Sequence, residues 1–202
     1  MKCYYLTGPA PLYTNSYVVV SDAGHAVVID PACPFESYRH IISETASLPR
    51  YVLCTPGHFD HVGTAERLCS VYGAELRCGA ADLNGDRLFP LTAAQDYTDG
   101  EEIVVDDLTF RVITTPGHSM GSVCILCGDK FFTGDTLFCG DTGRTDLPGG
   151  SHEEMIRTMR KLQRLRLPAD TAVLPGHDVY STYGEQMAGN EFILMYCPTE
   201  EA

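Results

Sequence analysis

The stretch TPGHFDH, Thr55 to His61, sets two histidines and an aspartate directly behind the apolar run RYVLC. Its Pro-Gly-His tripeptide returns at Pro116-Gly117-His118 and again at Pro175-Gly176-His177. Each copy follows a β-like run, RYVLCT, FRVITT and TAVL, so each histidine is expected on a loop just past a strand end, where chemistry collects. Proline fixes one φ and glycine frees the next, which is what such a turn needs. Asp135 stands in the matching position after KFFTG. Loops leaving neighbouring strands at one edge converge, and the expected cluster is His58, Asp60, His61, His118, Asp135 and His177. Imidazoles and carboxylates in that proportion make a transition-metal site, or two sites sharing one carboxylate. His25, His40 and His152 lie outside the pattern and are read as ordinary surface or hydrogen-bonded histidines.

Working outward, SYVVV and AVVID flank the turn cluster SDAGH and predict an antiparallel hairpin. FESYRHIISETA has helical spacing, with Phe35, Ile41 and Ile42 facing inward. VGTAERLCSVYG predicts a helix with Val62, Leu68, Cys69 and Val71 on its apolar side and Gly73 as its stop. A second β-rich set comprises EIVV, LTFRVITT, SVCILC and KFFTG. HEEMIRTMRKLQRL is the clearest helix, with Met155, Ile156, Met159, Leu162 and Leu165 on one stripe, acids early and bases late. TAVLPGH reads as a last strand, and TYGEQMAGNEFI as one closing helix. The order suggests two β layers covered by helices.

The 202 residues suit one domain. A hydrophobic share of 44 % beside 20 % charged residues is that of a soluble globular chain with a sizeable core. A formal net charge of −13 argues against nucleic acid and anionic lipid as partners. The apolar runs are strand-sized, far short of a membrane span, and the opening MKCYYLTGPAP is broken by Gly and Pro before any leader-like run develops. Nine scattered cysteines, an odd count, predict a cytoplasmic protein with free thiols. Cys124 and Cys127 form a Cys-x-x-Cys, but strand alternation sends them to opposite faces rather than to one metal.

TPGHFDH, TPGHSMGS, TGDTLF and LPGHD, with VVIDPA near Asp30 and GRTDLPGG from Gly143 to Gly150, resemble the metallo-β-lactamase superfamily and its glyoxalase II-like branch of small hydrolases. The resemblance runs in order over nearly the whole chain. It implies an α/β fold, an αββα sandwich of two mixed sheets covered by helices, with metals at one edge. It further implies a first metal set of His-x-His, His118 and a bridging Asp135, and a second of Asp60, His61, Asp135 and His177. Here the first family histidine is Pro56, which has no donor. The first set keeps His58, His118 and Asp135, and the second is expected to bind more tightly. Zinc is the implied metal, one or two ions, with iron or manganese taken up according to supply. Cys54 and Cys139 are the conceivable replacement ligands, although burial is the commoner fate of a free cysteine.

The chemistry the resemblance implies is hydrolysis of a small-molecule thioester of the S-lactoylglutathione type, or a related ester, by metal-bound hydroxide, with Asp60 orienting it and passing on its proton. The glutathione-binding helical domain of the glyoxalase II enzymes has no counterpart in these residues, so the substrate is less defined than the reaction. Arg144 contacts substrate or pairs with a nearby carboxylate. A mononuclear non-haem iron persulfide dioxygenase is the alternative. A third reading is a metal-binding domain whose catalysis is impaired by Pro56.

Overall fold

A computed structural model describes residues 1–83 and 91–197. In chain order the strands of the first sheet are β1 (Lys2–Thr7), β2 (Asn15–Val20), β3 (His25–Ile29), β4 (Leu48–Leu53) and β5 (Glu75–Arg77), and they lie side by side in that order. The first three are antiparallel, as the SDAGH turn predicts for β2 and β3, and β3, β4 and β5 run parallel. The second sheet has the order β11-β10-β9-β8-β7-β6. Its strands are β6 (Glu102–Val105), β7 (Leu108–Thr114), β8 (Val123–Cys127), β9 (Lys130–Gly134), β10 (Ala172–Pro175) and the short β11 (Ser181–Thr182). β9 and β10 form its one parallel pair among the described residues.

Because side chains alternate across a strand, each central strand feeds two cores. Tyr17, Val19, Val27, Ile29 and Leu53 meet Phe110, Val112, Ile125 and Phe132 between the sheets. Val18, Val20, Val28 and Val52 point the other way, under α1 (Phe35–Thr45) and α3 (Ala65–Tyr72). Ile113, Cys124, Phe131 and Val173 face outward from the second sheet onto α4 (His152–Arg164) through Met155, Met159 and Leu162. The result is the αββα sandwich with two mixed sheets that the sequence implies. Cys124 and Cys127 fall into different cores, as strand alternation requires. Among the described residues no helix is long and apolar enough to cross a membrane.

Several details depart from the sequence reading. Val71 is 56 % exposed and Cys69 only half-buried, because α3 buries a narrow face through Ala65 and Leu68. On α4, Ile156 and Leu165 pack at the margin of the core rather than inside it. The opening forms β1, a half-exposed strand on which the sequence reading is silent, held by its ladder to β2. The single closing helix is two: α5 (Tyr183–Gly189) stops at Asn190, whose extended backbone and side chain cap α6 (Glu191–Tyr196) by accepting from the Ile193 amide. TAVLPGH is followed by β11, which doubles back on β10.

At one edge the sheets are sewn together by polar contacts. Asn15 donates its backbone amide to Gly176 O at 2.6 Å, Tyr17 donates its hydroxyl to Pro175 O at 2.7 Å, and Val123 donates its amide to Thr55 O at 2.8 Å. The loops after β4, β7, β9 and β10 all end at this edge.

Between the sheets, Phe132 is 1 % exposed and lies edge-on to Tyr17 at 5.1 Å. Phe132→Ala removes a ring from a core that cannot collapse without parting the sheets, and is expected to cost about 3–5 kcal/mol in urea unfolding of the metal-free protein.

Candidate metal centre

The TPGHFDH loop ends in the short helix α2 (Phe59–Val62), with His58 just before its first residue. His118 follows β7, Asp135 follows β9 and His177 follows β10. The fold brings all six expected residues together as two donor sets, His58, His118 and Asp135 in one and Asp60, His61 and His177 in the other, with the donor atoms of each set within 4.8 Å of one another. Asp135 reaches both: its Oδ1 is 3.3 Å from His61 Nε2, and its Oδ2 is 3.3 Å from His118 Nε2 and 3.6 Å from His177 Nε2. Asp60 Oδ2 lies 3.3 Å from His177 Nε2 and 3.6 Å from His61 Nε2.

The far ring nitrogens are committed elsewhere. His118 Nδ1 donates to Arg144 O at 2.8 Å, His177 Nδ1 to Leu12 O at 3.1 Å, and His61 Nδ1 to the buried Asp30 carboxylate at 3.1 Å. Those oxygens only accept, so each Nδ1 carries a proton and each Nε2 is aimed at the carboxylates. Outer partners of this kind orient metal-ligating histidines. Asp30 also accepts from the Thr55 amide and hydroxyl, which ties the loop bearing His58, Asp60 and His61 to the end of β3. Gly176 is needed here because a Cβ would lie 2.4 Å from Asp135 Oδ1.

The donor set fits a divalent metal on its own evidence. His61 Nε2 and Asp135 Oδ1 are buried, face each other and have no hydrogen-bond partner. Buried polar atoms without partners are costly, and a cation between them removes the cost. Protons fill that role in the metal-free protein. Burial alone lowers the His177 pKa, but the Asp135 and Asp60 carboxylates outweigh it and raise it to about 10. His61 is likewise raised well above the usual histidine value against its burial, by Asp135 and Asp30. Asp135 is held well below the carboxylate range, because His61 and His177 overcome the effect of burial. Burial pushes Asp60 up, while His177, His61 and the Thr14 hydroxyl pull it down further, to about 2. His58 is lowered by burial and by its neighbour His118, whose Nε2 stands 2.9 Å from His58 Nδ1.

Both donor sets open into a cleft of about 1040 Å³ whose walls include Leu12, Phe59, Met120, Phe138 and Leu147. Arg144 lines this cleft, and its guanidinium forms a two-pronged pair with Asp146 at 2.7 and 2.8 Å. Cys54 sits in the core beneath α1 and α3, its thiol pushed well up by burial, and Cys139 is exposed; neither belongs to a donor set. His25 pairs with Asp106, His40 lies near Glu44, and His152 packs on Phe192 and Tyr196. Thr14 and Asp82 are site-edge residues that sequence reasoning missed. No motif contains them, and both belong to loops whose place depends on the fold.

The metallo-beta-lactamase superfamily model matches residues 9–177. The chain belongs to the metallo-beta-lactamase superfamily. Among relatives in this superfamily, the hydroxyacylglutathione hydrolase GloC of Haemophilus influenzae is 30 % identical over 89 % of this chain and 92 % of its own. The BLEG-1 B3 metallo-beta-lactamase superposes with a TM-score of 0.83 at 28 % identity, covering 95 % of this chain and 99 % of that one. TTHA1623, crystallised in a di-iron-bound form, superposes with a TM-score of 0.82 at 30 % identity, covering 94 % and 99 %. The superfamily's fold thus binds metal ions, and metallo-hydrolases are among its members.

Since His61 and His177 are protonated at neutral pH in the metal-free protein, an ion entering their set has to displace those protons. Calorimetry at pH 7 in buffers of different ionisation enthalpy is expected to read about two protons released per ion in that set, with affinity rising as pH rises. Binding without proton release would contradict the assigned protonation.

Proposed function

We propose that the protein is a metal-dependent hydrolase of small-molecule thioesters or related esters, with two ions held at the base of the cleft. The observation that carries this reading is the buried Asp135 carboxylate shared between two donor sets at the floor of an open, largely apolar cleft. His58, His118 and Asp135 would hold the first ion, and Asp60, His61, His177 and Asp135 the second. Imidazole and carboxylate donors suit zinc, iron and manganese, and zinc is the proposed occupant. When bound, such ions make water nucleophilic near neutral pH and polarise a carbonyl.

The chain's own residues do the rest. The apolar wall of Phe59, Met120 and Phe138 holds the acyl or thiol portion and keeps bulk water from the floor. Asp60, fixed by the Thr14 hydroxyl at 2.8 Å, orients the attacking water. From that position the Asp60 carboxylate can pass the proton of the attacking water toward the departing thiolate. Water adds to the carbonyl carbon, the carbon–sulfur bond breaks, and the products are a carboxylate and a thiol. The likeness to GloC supports a thioester substrate. Two donor sets, rather than one, favour this reading over the mononuclear iron dioxygenase.

The test pairs elemental analysis of protein purified without added metal with hydrolysis of S-lactoylglutathione and a simple thioester. Near two equivalents with turnover is the expected result. Asp135→Asn is expected to lower both metal content and turnover, the latter by at least about a hundredfold, beyond what loss of an outer partner costs. One iron per chain without thioester turnover would move the assignment to the dioxygenase, and neither metal nor turnover would overturn the enzyme reading.

A further inference from the structure

The first donor set has Pro56 where the family resemblance places an imidazole, and its two histidines stand on separate loops that have to be held together. Asp82 ends a single 3-10 turn, Ala80–Asp82, after β5, and its side chain is 8 % exposed. Its carboxylate accepts three hydrogen bonds. Two reach Oδ2, from the Gly57 amide at 3.0 Å and the Ser119 hydroxyl at 2.7 Å, and one reaches Oδ1, from the Gly121 amide at 2.9 Å. Gly57 is the residue before His58, and Ser119 is the residue after His118. One carboxylate therefore staples the two loops whose histidines meet at 2.9 Å. The approach is possible only without side chains: a Cβ on Gly57 would stand 2.7 Å from Asp82 Cβ, and one on Gly121 would stand 2.5 Å from Asp82 Cγ. Among the described residues nothing comparable ties Asp82 to the second set, whose histidines are oriented by Asp30 and Leu12 O.

We infer that Asp82 is a positioning residue for the first metal set, holding the loops of His58 and His118 so that the two rings stay at chelating separation. This rests on the metal-centre reading of the two donor sets and is independent of the substrate. A carboxylate supplies acceptors to all three donors at once, and charged acceptors make the stronger bonds. Asp82→Asn keeps the shape but turns one acceptor into a donor that faces a backbone amide or the Ser119 hydroxyl. Ser119→Ala removes one bond and leaves the carboxylate.

The experiment is a zinc titration of the metal-free full-length chain, followed by the ring-nitrogen resonances of its histidines, which report each set separately. Asp82→Asn is expected to weaken zinc binding at His58 and His118 by about 10- to 100-fold, the range for loss of an outer partner, and to leave His61 and His177 within about threefold. Ser119→Ala is expected to act in the same direction by a few-fold, and it serves as the reading if Asp82→Asn does not fold. A general structural role would weaken both sets together, and that result overturns the inference. So does an unchanged first set in both variants, or a wild-type first set that takes no zinc while the second fills. Zinc at neither set would instead overturn the metal-centre reading beneath it.

Discussion

A carboxylate buried among imidazoles organises this molecule. Asp135 is only 6 % exposed and lies within 3.3 to 3.6 Å of His61, His118 and His177. An ionised group so far from water needs positive charge beside it, from protons or from metal. The loops at this edge are arranged to supply it, and the sheets behind them are arranged to present the loops. That is why the parallel strands β4, β9 and β10 end at the same edge, as ligands in open α/β sheets sit beyond strand carboxyl ends.

Around that centre the candidate ligands have different anchors, and the anchors join the layers. Asp30 links the end of β3 to Thr55 and His61, Asn15 and Tyr17 bind the chain before His177 across the sheets, and Asp82 clips the loops of His58 and His118. Asp30 adopts a positive φ of 47°, a conformation most residues avoid, and its three bonds make that geometry worthwhile.

Much of this was legible in the sequence, because the informative signals were local. Three Pro-Gly-His turns behind apolar runs located the site edge, and period-2 and period-3.6 patterns located most strands and helices. What was hidden depends on contacts between distant segments. The break at Asn190 comes from its side chain reaching Phe138 O and Asp141 O, which no pattern within TYGEQMAGNEFI records. Val71 looks like a core residue by spacing, yet α3 turns only Ala65 and Leu68 fully into the core and leaves it exposed. Asp82 carries no motif, since its meaning lies in residues 25 positions before it and 37 after. Pro56 was visible as a departure, but the Asp82 contacts to the loops beside it were not.

Leu12 and Arg144 hold histidines of the centre with their carbonyl oxygens and also line the cleft. Every amino acid brings the same carbonyl, so substitution at either position alters what the cleft presents without withdrawing the acceptor behind it. The cleft's surface and the orientation of its histidines are thus set by different atoms of the same two residues.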